Sequence, residues 1–384
     1  MKLAHRLLTA AAVMVVAALA PSARALVSLE DGRDHLFVDG SVEFGYDSNV
    51  FANAQSGGSM LVEGSLSTEF TRRAGWIGVN ATASLTFARY ANFRDQDYVD
   101  PKVMAELTKQ TGRTTGSLMV TVQRENRADV DVNTRDVSWN YEVGLNFQYP
   151  VIERYSISGS FDYSYVDYQD RQLFTNLATY TGNLYLYYIL NSQRDFFVDY
   201  RARYSGLASG SDDVDNSLSA GLNGKVFGPF NGSIQGGYTE RSTSGGADAG
   251  RYGDLTASGA LTWNMNRRMT MSSDLSRDFS TTATGQSIDS TSIGLTFKDS
   301  FTSKASGSLD GSAGQCRFLG DEGLVAPDQT RRIDNFVSLS SSYIYTLNEH
   351  LKASINCVYF KNWSTLAYAE FPRQQVNVTL TSHW

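Results

Sequence analysis

Apolar and polar residues alternate strictly along most of the chain. Between Val137 and Tyr149 every second residue is a large apolar one, and residues 77–87, 155–165 and 196–204 repeat the pattern. Such alternation is typical of a β-strand with one apolar and one polar face. The runs are about 9–13 residues long, whereas strands of soluble proteins usually have about 5–6. Because this length suits a tilted crossing of a bilayer, the pattern predicts membrane-spanning strands.

Short turns and longer polar loops alternate between these segments, with both ends of the chain on the short-turn side. An even number of antiparallel strands in this arrangement is the plan of a bacterial outer-membrane barrel. The predicted fold class is therefore all-β, a transmembrane antiparallel up-and-down β-barrel of about 18 strands, and a count of 16 stays open. The predicted strands are 35–47, 59–71, 75–91, 98–110, 114–126, 136–149, 153–168, 177–190, 194–206, 214–227, 229–242, 252–265, 267–280, 287–299, 301–316, 331–346, 350–362 and 373–384.

Aromatic residues concentrate near the ends of the predicted strands, with Tyr46, Trp76 and Tyr90 as examples. Amphipathic rings at this height form the aromatic girdles of outer-membrane barrels. We therefore assign these residues to the two membrane interfaces.

The first 25 residues have the features of a secretory signal peptide. Lys2 and Arg6 precede an uncharged apolar run, 7–20, and the segment closes on Ala23-Arg24-Ala25, a typical cleavage site. No later apolar segment approaches the roughly 20 residues of a membrane helix. The predicted organisation is a cleaved signal peptide, 1–25, a short periplasmic segment, 26–34, and an outer-membrane barrel, 35–384.

Composition narrows the function classes. Two Cys and four His in 384 residues exclude a disulfide scaffold and a multi-cysteine metal site, and a net charge of −7 disfavours a nucleic-acid partner. His35, His350 and His383 are predicted at the periplasmic rim, with His35 near His383, where a solvated or partner-contacting role is favoured over a metal site. Cys316 is predicted to face inward and Cys357 outward, without a disulfide. We predict no catalytic residue, cofactor or metal, so the protein is not expected to be an enzyme.

If the apolar face meets lipid, the polar face lines the interior of the barrel. A barrel of 16–18 strands leaves an aqueous channel, and no segment of the sequence is long enough for a plug domain. The lumen is therefore expected to be polar, unplugged, and open or loosely gated. The predicted lumen-lining residues are Asp39, Glu43, Asp47, Glu63, Glu69, Glu142, Asp162, Asp199, Arg201 and Arg203.

Three acidic clusters lie in or beside the predicted outer loops. Their carboxylates could bind divalent cations that bridge lipopolysaccharide, but solvated loop charge is the favoured interpretation. The clusters are Asp95, Asp97 and Asp100; Asp129 and Asp131; and Asp212, Asp213 and Asp215.

The segment Gly45-Tyr46-Asp47-Ser48-Asn49-Val50-Phe51 resembles the opening signature of the proteins called putative β-barrel porin type 2. Physically it is the end of the first strand entering an Asx-type turn. The last strand ends at Trp384 and resembles the signal by which barrel-assembly machinery recognises its clients. The resemblance also implies association with exopolysaccharide systems, in which such barrels are the proposed exit for the polymer.

Three functions are weighed. The preferred one is a pore for exopolysaccharide export across the outer membrane of a Gram-negative bacterium, with both termini periplasmic. The alternative is a general diffusion porin for small hydrophilic solutes, mildly cation-selective because the chain is acidic. A surface adhesin or outer-membrane enzyme is disfavoured. The expected partners are outer-membrane lipid and lipopolysaccharide, the barrel-assembly machinery, and periplasmic polysaccharide-export proteins.

Overall fold

A closed ring of antiparallel strands forms the molecule. The structure, a computed structural model, describes residues 27–29, 34–245, 249–319 and 332–384. Among these residues, no helix has the length and apolar character needed to cross a membrane. The strands are β1 (Val27–Leu29), β2 (Asp34–Asp47), β3 (Ser59–Ala74), β4 (Ile77–Tyr90), β5 (Tyr98–Lys109), β6 (Thr115–Asp129), β7 (Thr134–Ile152), β8 (Tyr155–Tyr168), β9 (Leu177–Asn191), β10 (Arg194–Leu207), β11 (Asp212–Phe227), β12 (Phe230–Ser244), β13 (Gly250–Asn264), β14 (Met269–Thr281), β15 (Ser287–Asp299), β16 (Ala305–Phe318), β17 (Ile333–Thr346), β18 (Leu351–Ser364) and β19 (Phe371–His383).

Strands β2 to β19 pair in chain order, and β19 returns to β2. The closing pairs run from His383 opposite Asp39 to Gln375 opposite Asp47. The short strand β1 pairs with the beginning of β2 and adds no further strand to the ring. The prediction of an up-and-down barrel of 18 strands is therefore confirmed, and the alternative of 16 is wrong.

Predicted and observed strand limits differ by a few residues. The largest displacement is at β16, which begins at Ala305 rather than at residue 301. The cause is local, because the Thr302 hydroxyl accepts the backbone N–H groups of Lys304 and Ala305, at 3.1 and 3.0 Å, and so forms a turn. Residues 1–26 lie outside the described part of the chain, so the signal peptide stays a prediction.

The two faces of each strand differ in chemistry, as alternation requires. Exposed large apolar side chains occupy the outward positions, for example Phe44, Leu66, Phe87, Leu145, Phe161, Leu218, Leu255, Leu295, Leu339 and Val378. Tyr46 and Trp76 are exposed as predicted for a girdle, but Tyr90 points inward and is buried, so its assignment is wrong. In β4 the odd-numbered residues face outward, whereas the even-numbered residues, including Tyr90, face the lumen. Cys316, which is partly buried, and Cys357, which is exposed, are both free cysteines in the structure.

Connections differ between the two ends of the barrel. At the end that contains Trp384, which we call the turn end, Gly75 and Trp76 alone join β3 to β4, and Gly75 adopts the positive φ of 70° that such a tight turn needs. At the opposite end, the loop end, connections such as 48–58 and 169–176 are longer. Outer-membrane barrels carry their short turns on the periplasmic side and their longer loops outside the cell.

Histidine and aromatic side chains gather where the ring closes at the turn end. The Nδ1 atom of His383 lies 2.5 Å from a carboxylate oxygen of Asp39. The Phe37 ring stacks between His35 and His383, with centroid distances of 6.2 and 5.3 Å. Phe37 therefore separates His35 from His383, and a functional role of this pair stays a prediction. Among the described residues, no group of three or more His, Cys, Asp or Glu side chains could hold a metal ion.

Trp384 also lies at the junction where β2 and β19 close the ring, which we call the seam. Its backbone N–H and C=O pair with Val38, at 3.0 and 2.9 Å, and its indole stacks on His350 at 4.3 Å. These contacts fix the last residue to the first barrel strand. Recognition of Trp384 by the assembly machinery stays a prediction.

The signature Gly45–Phe51 closes the seam at the loop end. The Asp47 carboxylate accepts the N–H of Asn49 at 2.9 Å, which is the predicted Asx turn. The same carboxylate accepts Nη2 of Arg373 at 2.6 Å, and the Ser48 hydroxyl accepts the N–H of Gln374 at 2.7 Å. The signature therefore joins the first and last strands of the ring.

Candidate functional site

All ten residues predicted to line the lumen lie at inward positions of their strands. Asp39 contacts His383, Asp47 pairs with Arg373, and Arg201 and Arg203 both pair with aspartates. The remaining six form no ion pair with another described residue: Glu43, Glu63, Glu69, Glu142, Asp162 and Asp199. Glu106, Asp274 and Asp310 add inward carboxylates, and together these exceed the inward lysines Lys102, Lys225, Lys298 and Lys352.

Arg201 and Arg203 form a network across the lumen. Arg201 binds the Asp278 carboxylate with both terminal nitrogens, at 2.8 and 2.7 Å. Arg203 binds Asp278 at 3.2 Å and Asp215 on the adjacent strand β11 at 2.7 Å. Because β10 and β14 are not neighbours in the ring, their side chains meet only if part of β14 leans into the barrel.

Arg241 of β12 holds the same part of β14. It is fully buried and binds the Asp215 carboxylate with Nε and Nη2 at 2.7 and 2.9 Å. Its Nη1 donates to the Ser280 carbonyl at 2.7 Å, and its guanidinium lies 5.3 Å from the Phe279 ring centroid. The guanidinium thereby joins the inner face of β11 and β12 to the end of β14.

On the loop-end side of Arg277, the β14–β15 hairpin separates from β13 and leaves the barrel wall. Pairing of β13 with β14 ends at Ala257 and Arg277, although β13 begins at Gly250. Arg277 stands at an outward position, yet it binds the inward Asp254 of β13 at 2.6 Å. The outward face of the hairpin therefore packs against the inward face of its neighbours.

The β6–β7 hairpin leaves β5 in the same way. Pairing of β5 with β6 ends at Lys102 and Gln123, and above it Arg124 binds the inward Asp100 at 2.7 Å. Arg135 of β7, again at an outward position, donates to the hydroxyl of the inward Tyr90 at 3.1 Å and to the Val50 carbonyl at 3.3 Å. Two hairpins, eight strands apart, thus fold into the loop end.

The tips of the two hairpins come together over the lumen. Tyr168 at the end of β8, Phe174 of the β8–β9 connection and Ala283 of the β14–β15 loop form one buried cluster, and Val132 of the β6–β7 loop packs against this cluster. From the opposite side of the ring, Arg332 donates to the Asp131 carbonyl at 2.6 Å.

Arg332 is itself firmly held. Its Nη2 binds the Asp334 carboxylate at 2.6 Å, and its guanidinium lies 4.1 Å from the Phe318 ring centroid. Asn362 donates to the same carboxylate at 3.2 Å. The β6–β7 loop is therefore tied to the wall formed by β16, β17 and β18.

The described contacts narrow the lumen at the loop end, so of the two expected forms, open or loosely gated, they favour the gated one. The barrel's own hairpins cross the lumen, because they bury apolar and arginine side chains there. The interpretation of the acidic clusters as solvated charge or cation bridges is wrong for several members. Asp100, Asp213 and Asp215 bind arginine, and Asp97 accepts the N–H of Tyr90 at 2.8 Å.

Sequence reasoning missed the arginines that hold the hairpins, namely Arg124, Arg135, Arg241, Arg277 and Arg332. One signal was present. Arg124, Arg135 and Arg277 occupy outward positions in strands whose outward residues are mostly apolar. An arginine facing lipid is unfavourable by up to about 2–4 kcal/mol at the bilayer midplane, so these positions indicate where the hairpin departs from the lipid-facing wall.

A closed ring of strands with an apolar exterior and a polar lumen defines an outer-membrane β-barrel porin of a Gram-negative bacterium. The chain belongs to the family described as Putative beta-barrel porin 2, whose model matches residues 37–383. This confirms the resemblance drawn from the Gly45–Phe51 signature. A search of curated proteins finds no match.

Among solved structures, the chain is similar to OpdK of Pseudomonas aeruginosa, with 13% identity, a TM-score of 0.48, and coverage of 91% of this chain and 99% of that one. It is similar to OccK2 (OpdF) of the same organism, solved in complex with glucuronate, with 11% identity, a TM-score of 0.49 and coverage of 91% and 98%. OccAB4 of Acinetobacter baumannii matches with 10% identity, a TM-score of 0.48 and coverage of 91% and 98%.

The crossed arrangement of the loop end is expected to weaken as the pH rises through about 6. Burial, reinforced by the Asp129 carboxylate, raises the pKa of Asp131 from 3.8 to about 6, although Arg332 opposes this. A raised carboxyl pKa means that the protonated form fits this arrangement better. The stabilisation that protonated Asp131 gives to the crossed loop end is therefore complete below pH 3.8 and is lost as the pH rises through about 6. The charged groups that act on Asp131 are Asp129, Arg332, Asp334 and Arg127.

Single-channel recordings of the purified protein at about pH 5 and about pH 7.5 test this, with a higher open probability expected at the higher pH. Asp131→Asn is the control, since an amide does not titrate in this range. An unchanged pH response in Asp131→Asn would assign the effect to another group, and a wild-type open probability independent of pH would contradict the prediction.

Proposed function

We propose that the protein is a diffusion porin for small hydrophilic solutes with a preference for cations. The observation that carries the proposal is the surplus of inward carboxylates without ion pairs, among them Glu43 and Glu63. Rings and rows of carboxylates along an aqueous pore raise the local concentration of cations and lower that of anions.

The crossed loop end favours this alternative over exopolysaccharide export. A polymer chain needs a continuous wide passage, so the packing of Val132 against the Tyr168–Phe174–Ala283 cluster and the Arg332 tether would both have to separate throughout transport. Small solutes need only transient or narrow gaps. The exopolysaccharide hypothesis rests on the resemblance alone, and no lumen contact among the described residues adds support to it.

Replacing Glu43 and Glu63 by Gln is expected to lower the cation preference without lowering stability. The two carboxylates are directly opposite each other on β2 and β3, where like charges are unfavourable by about 0.2–1 kcal/mol. Glu43 accepts the Thr379 hydroxyl at 2.8 Å, and Glu63 accepts the Tyr98 hydroxyl at 2.7 Å. Gln keeps an acceptor oxygen for each of these bonds. The measurement is the reversal potential of the purified porin in a planar bilayer under a KCl gradient.

The matched control is Glu240→Gln, which removes a carboxylate from an outward position of β12 and should leave the reversal potential unchanged. Wild-type protein that inserts but conducts no ions would overturn the proposed function. An anion-selective wild type, or equal shifts from Glu240→Gln and the double variant, would overturn the cation preference.

A further inference from the structure

A carboxylate without a hydrogen-bond donor lies on the β6–β7 hairpin. Asp136 is 1% exposed, and within the described part of the chain neither of its carboxylate oxygens has a hydrogen-bond partner. It stands directly opposite Arg127, and Glu125 and Asp129 share the same face of β6. Three carboxylates thus surround one guanidinium at the loop end of the lumen; we call this set the acidic site.

Arg127 holds the acidic site only loosely. Its Nε lies 3.7 Å from an oxygen of Asp136, and its Nη2 lies 3.8 Å from an oxygen of Asp129. Both distances exceed those of N–H···O hydrogen bonds. The Arg127 side chain is also 59% exposed, whereas that of Asp136 is 1% exposed. A buried anion therefore faces an exposed internal cation that does not hydrogen-bond to it.

The other two carboxylates of the acidic site, Glu125 and Asp129, also have oxygens without strong donors. Glu125 accepts only the side-chain amide of Gln123 at 2.6 Å in the described structure. Asp129 uses one oxygen for the backbone N–H groups of Asp131 and Val132, at 2.8 and 3.4 Å, and presents the other towards Arg127. Carboxylate oxygens that lack hydrogen-bond donors thus face the space that the Arg127 side chain partly occupies.

We propose that the acidic site binds solutes bearing a guanidinium or primary ammonium group, which displace Arg127. This proposal rests on the proposed function and specifies the class of solute that the porin selects. Such groups carry several N–H donors on one positive charge, which is what Asp136 and Asp129 lack. The buried Tyr168, opposite Ser138 of β7, adds an aromatic ring on the adjoining strand, and aromatic faces attract cations.

The test uses two variants with opposite expected effects. Methylguanidinium chloride is titrated against the full-length porin in planar bilayers at neutral pH, and the saturable decrease of the potassium current gives an apparent Kd. Asp136→Asn removes the buried charge and should weaken binding at least about tenfold, equivalent to about 1.4 kcal/mol. Arg127→Gln removes the internal competitor and should strengthen binding. Tetramethylammonium, which has the charge but no N–H donor, should bind only weakly to the wild type and to either variant.

Controls separate a binding site from a structural role. Glu240→Gln should leave the apparent Kd unchanged. If Asp136→Asn does not fold, judged by its electrophoretic mobility before and after heating, Glu125→Gln replaces it and should also weaken binding.

Weaker binding in both Asp136→Asn and Arg127→Gln would mean that the pair only supports the hairpin. Equal binding of tetramethylammonium would mean that charge alone is sensed. Either result overturns the proposal. A conducting porin without saturable methylguanidinium binding rejects the acidic site alone, whereas a protein that does not conduct rejects the proposed function as well.

Discussion

Replacing Arg332 by Ala is expected to open the loop end and to raise the open probability of single channels about tenfold or more. Arg332 is 3% exposed and connects the Asp131 carbonyl to the Asp334 carboxylate. Removing one partner of a buried ion pair is typically unfavourable by about 3–5 kcal/mol. Even 1.4 kcal/mol changes an equilibrium tenfold, so loss of this tether should favour conformations in which the β6–β7 loop has left the wall.

A second variant distinguishes opening from misfolding. In Arg332→Ala alone, Asp334 keeps its charge and loses its cation, which destabilises the fold as well as the tether. In Arg332→Ala combined with Asp334→Asn, the buried charge is gone but the bond to the Asp131 carbonyl is not restored. The double variant should regain heat stability in electrophoresis while its channels stay open. Arg89→Ala, on an exposed residue of β4, is the control. Channels that close again in the double variant would contradict the tether.

The barrel itself was accessible from the sequence because its signal is local. Alternation along a strand needs no knowledge of other strands, and the register that follows from it places Glu142 and Asp162 inward as predicted. The same parity shows why Tyr90 was assigned to the wrong surface. Composition suggested a girdle tyrosine, whereas its even position on β4, opposite to that of Phe87, places it in the lumen.

The closure of the loop end was not accessible, because its contacts join residues far apart in sequence. Arg332 meets Asp131 across 201 positions and Arg135 meets Val50 across 85. The alternation of β6 and β14 predicts only that each is a strand, and it does not predict which residues the inward-bent hairpins contact. The acidic clusters similarly carried no information on their arginine partners. Charged residues at lipid-facing positions were the remaining clue. They indicate where a hairpin leaves the barrel wall but not which residues it then contacts.

Replacing Arg241 by Met is expected to release the β14–β15 hairpin from the inner face of β11 and β12. Asp215 keeps Arg203 as a partner, at 2.7 Å from its Nε. Asp213, 3.5 Å from Nη1 of Arg241, keeps hydroxyl donors from Thr243 and Thr281 but has no other cation partner among the described residues. The loss is the two bonds to Asp215 and the bond to the Ser280 carbonyl. Hydrogen bonds to charged groups contribute about 1.5–3 kcal/mol each and are not additive, so a local loss of about 3 kcal/mol is reasonable.

Limited proteolysis of the folded porin measures this release. Cleavage between Ser280 and Ser287 should accelerate about a hundredfold in Arg241→Met, since local opening precedes cleavage and its equilibrium follows the free energy. The outward-facing Arg251→Met is the control, because its nearest carboxylate, Glu240, lies 4.0 Å away in solvent. An unchanged cleavage rate in Arg241→Met would mean that the hairpin is held by other contacts.

Combining Arg241→Met with Arg332→Ala tests whether the two hairpins act as one gate. Arg241 holds one hairpin and Arg332 holds the other, and residues of both hairpins, Ala283 and Val132, contribute to the packing around Tyr168 and Phe174. Independent hairpins should give additive changes in the free energy of opening, within about 0.3–0.5 kcal/mol. Coupling through the cluster predicts a deviation of about 0.5–3 kcal/mol, because either release already removes the apolar contact that the second would lose. Open probabilities of the wild type, both single variants and the double variant measure this deviation directly.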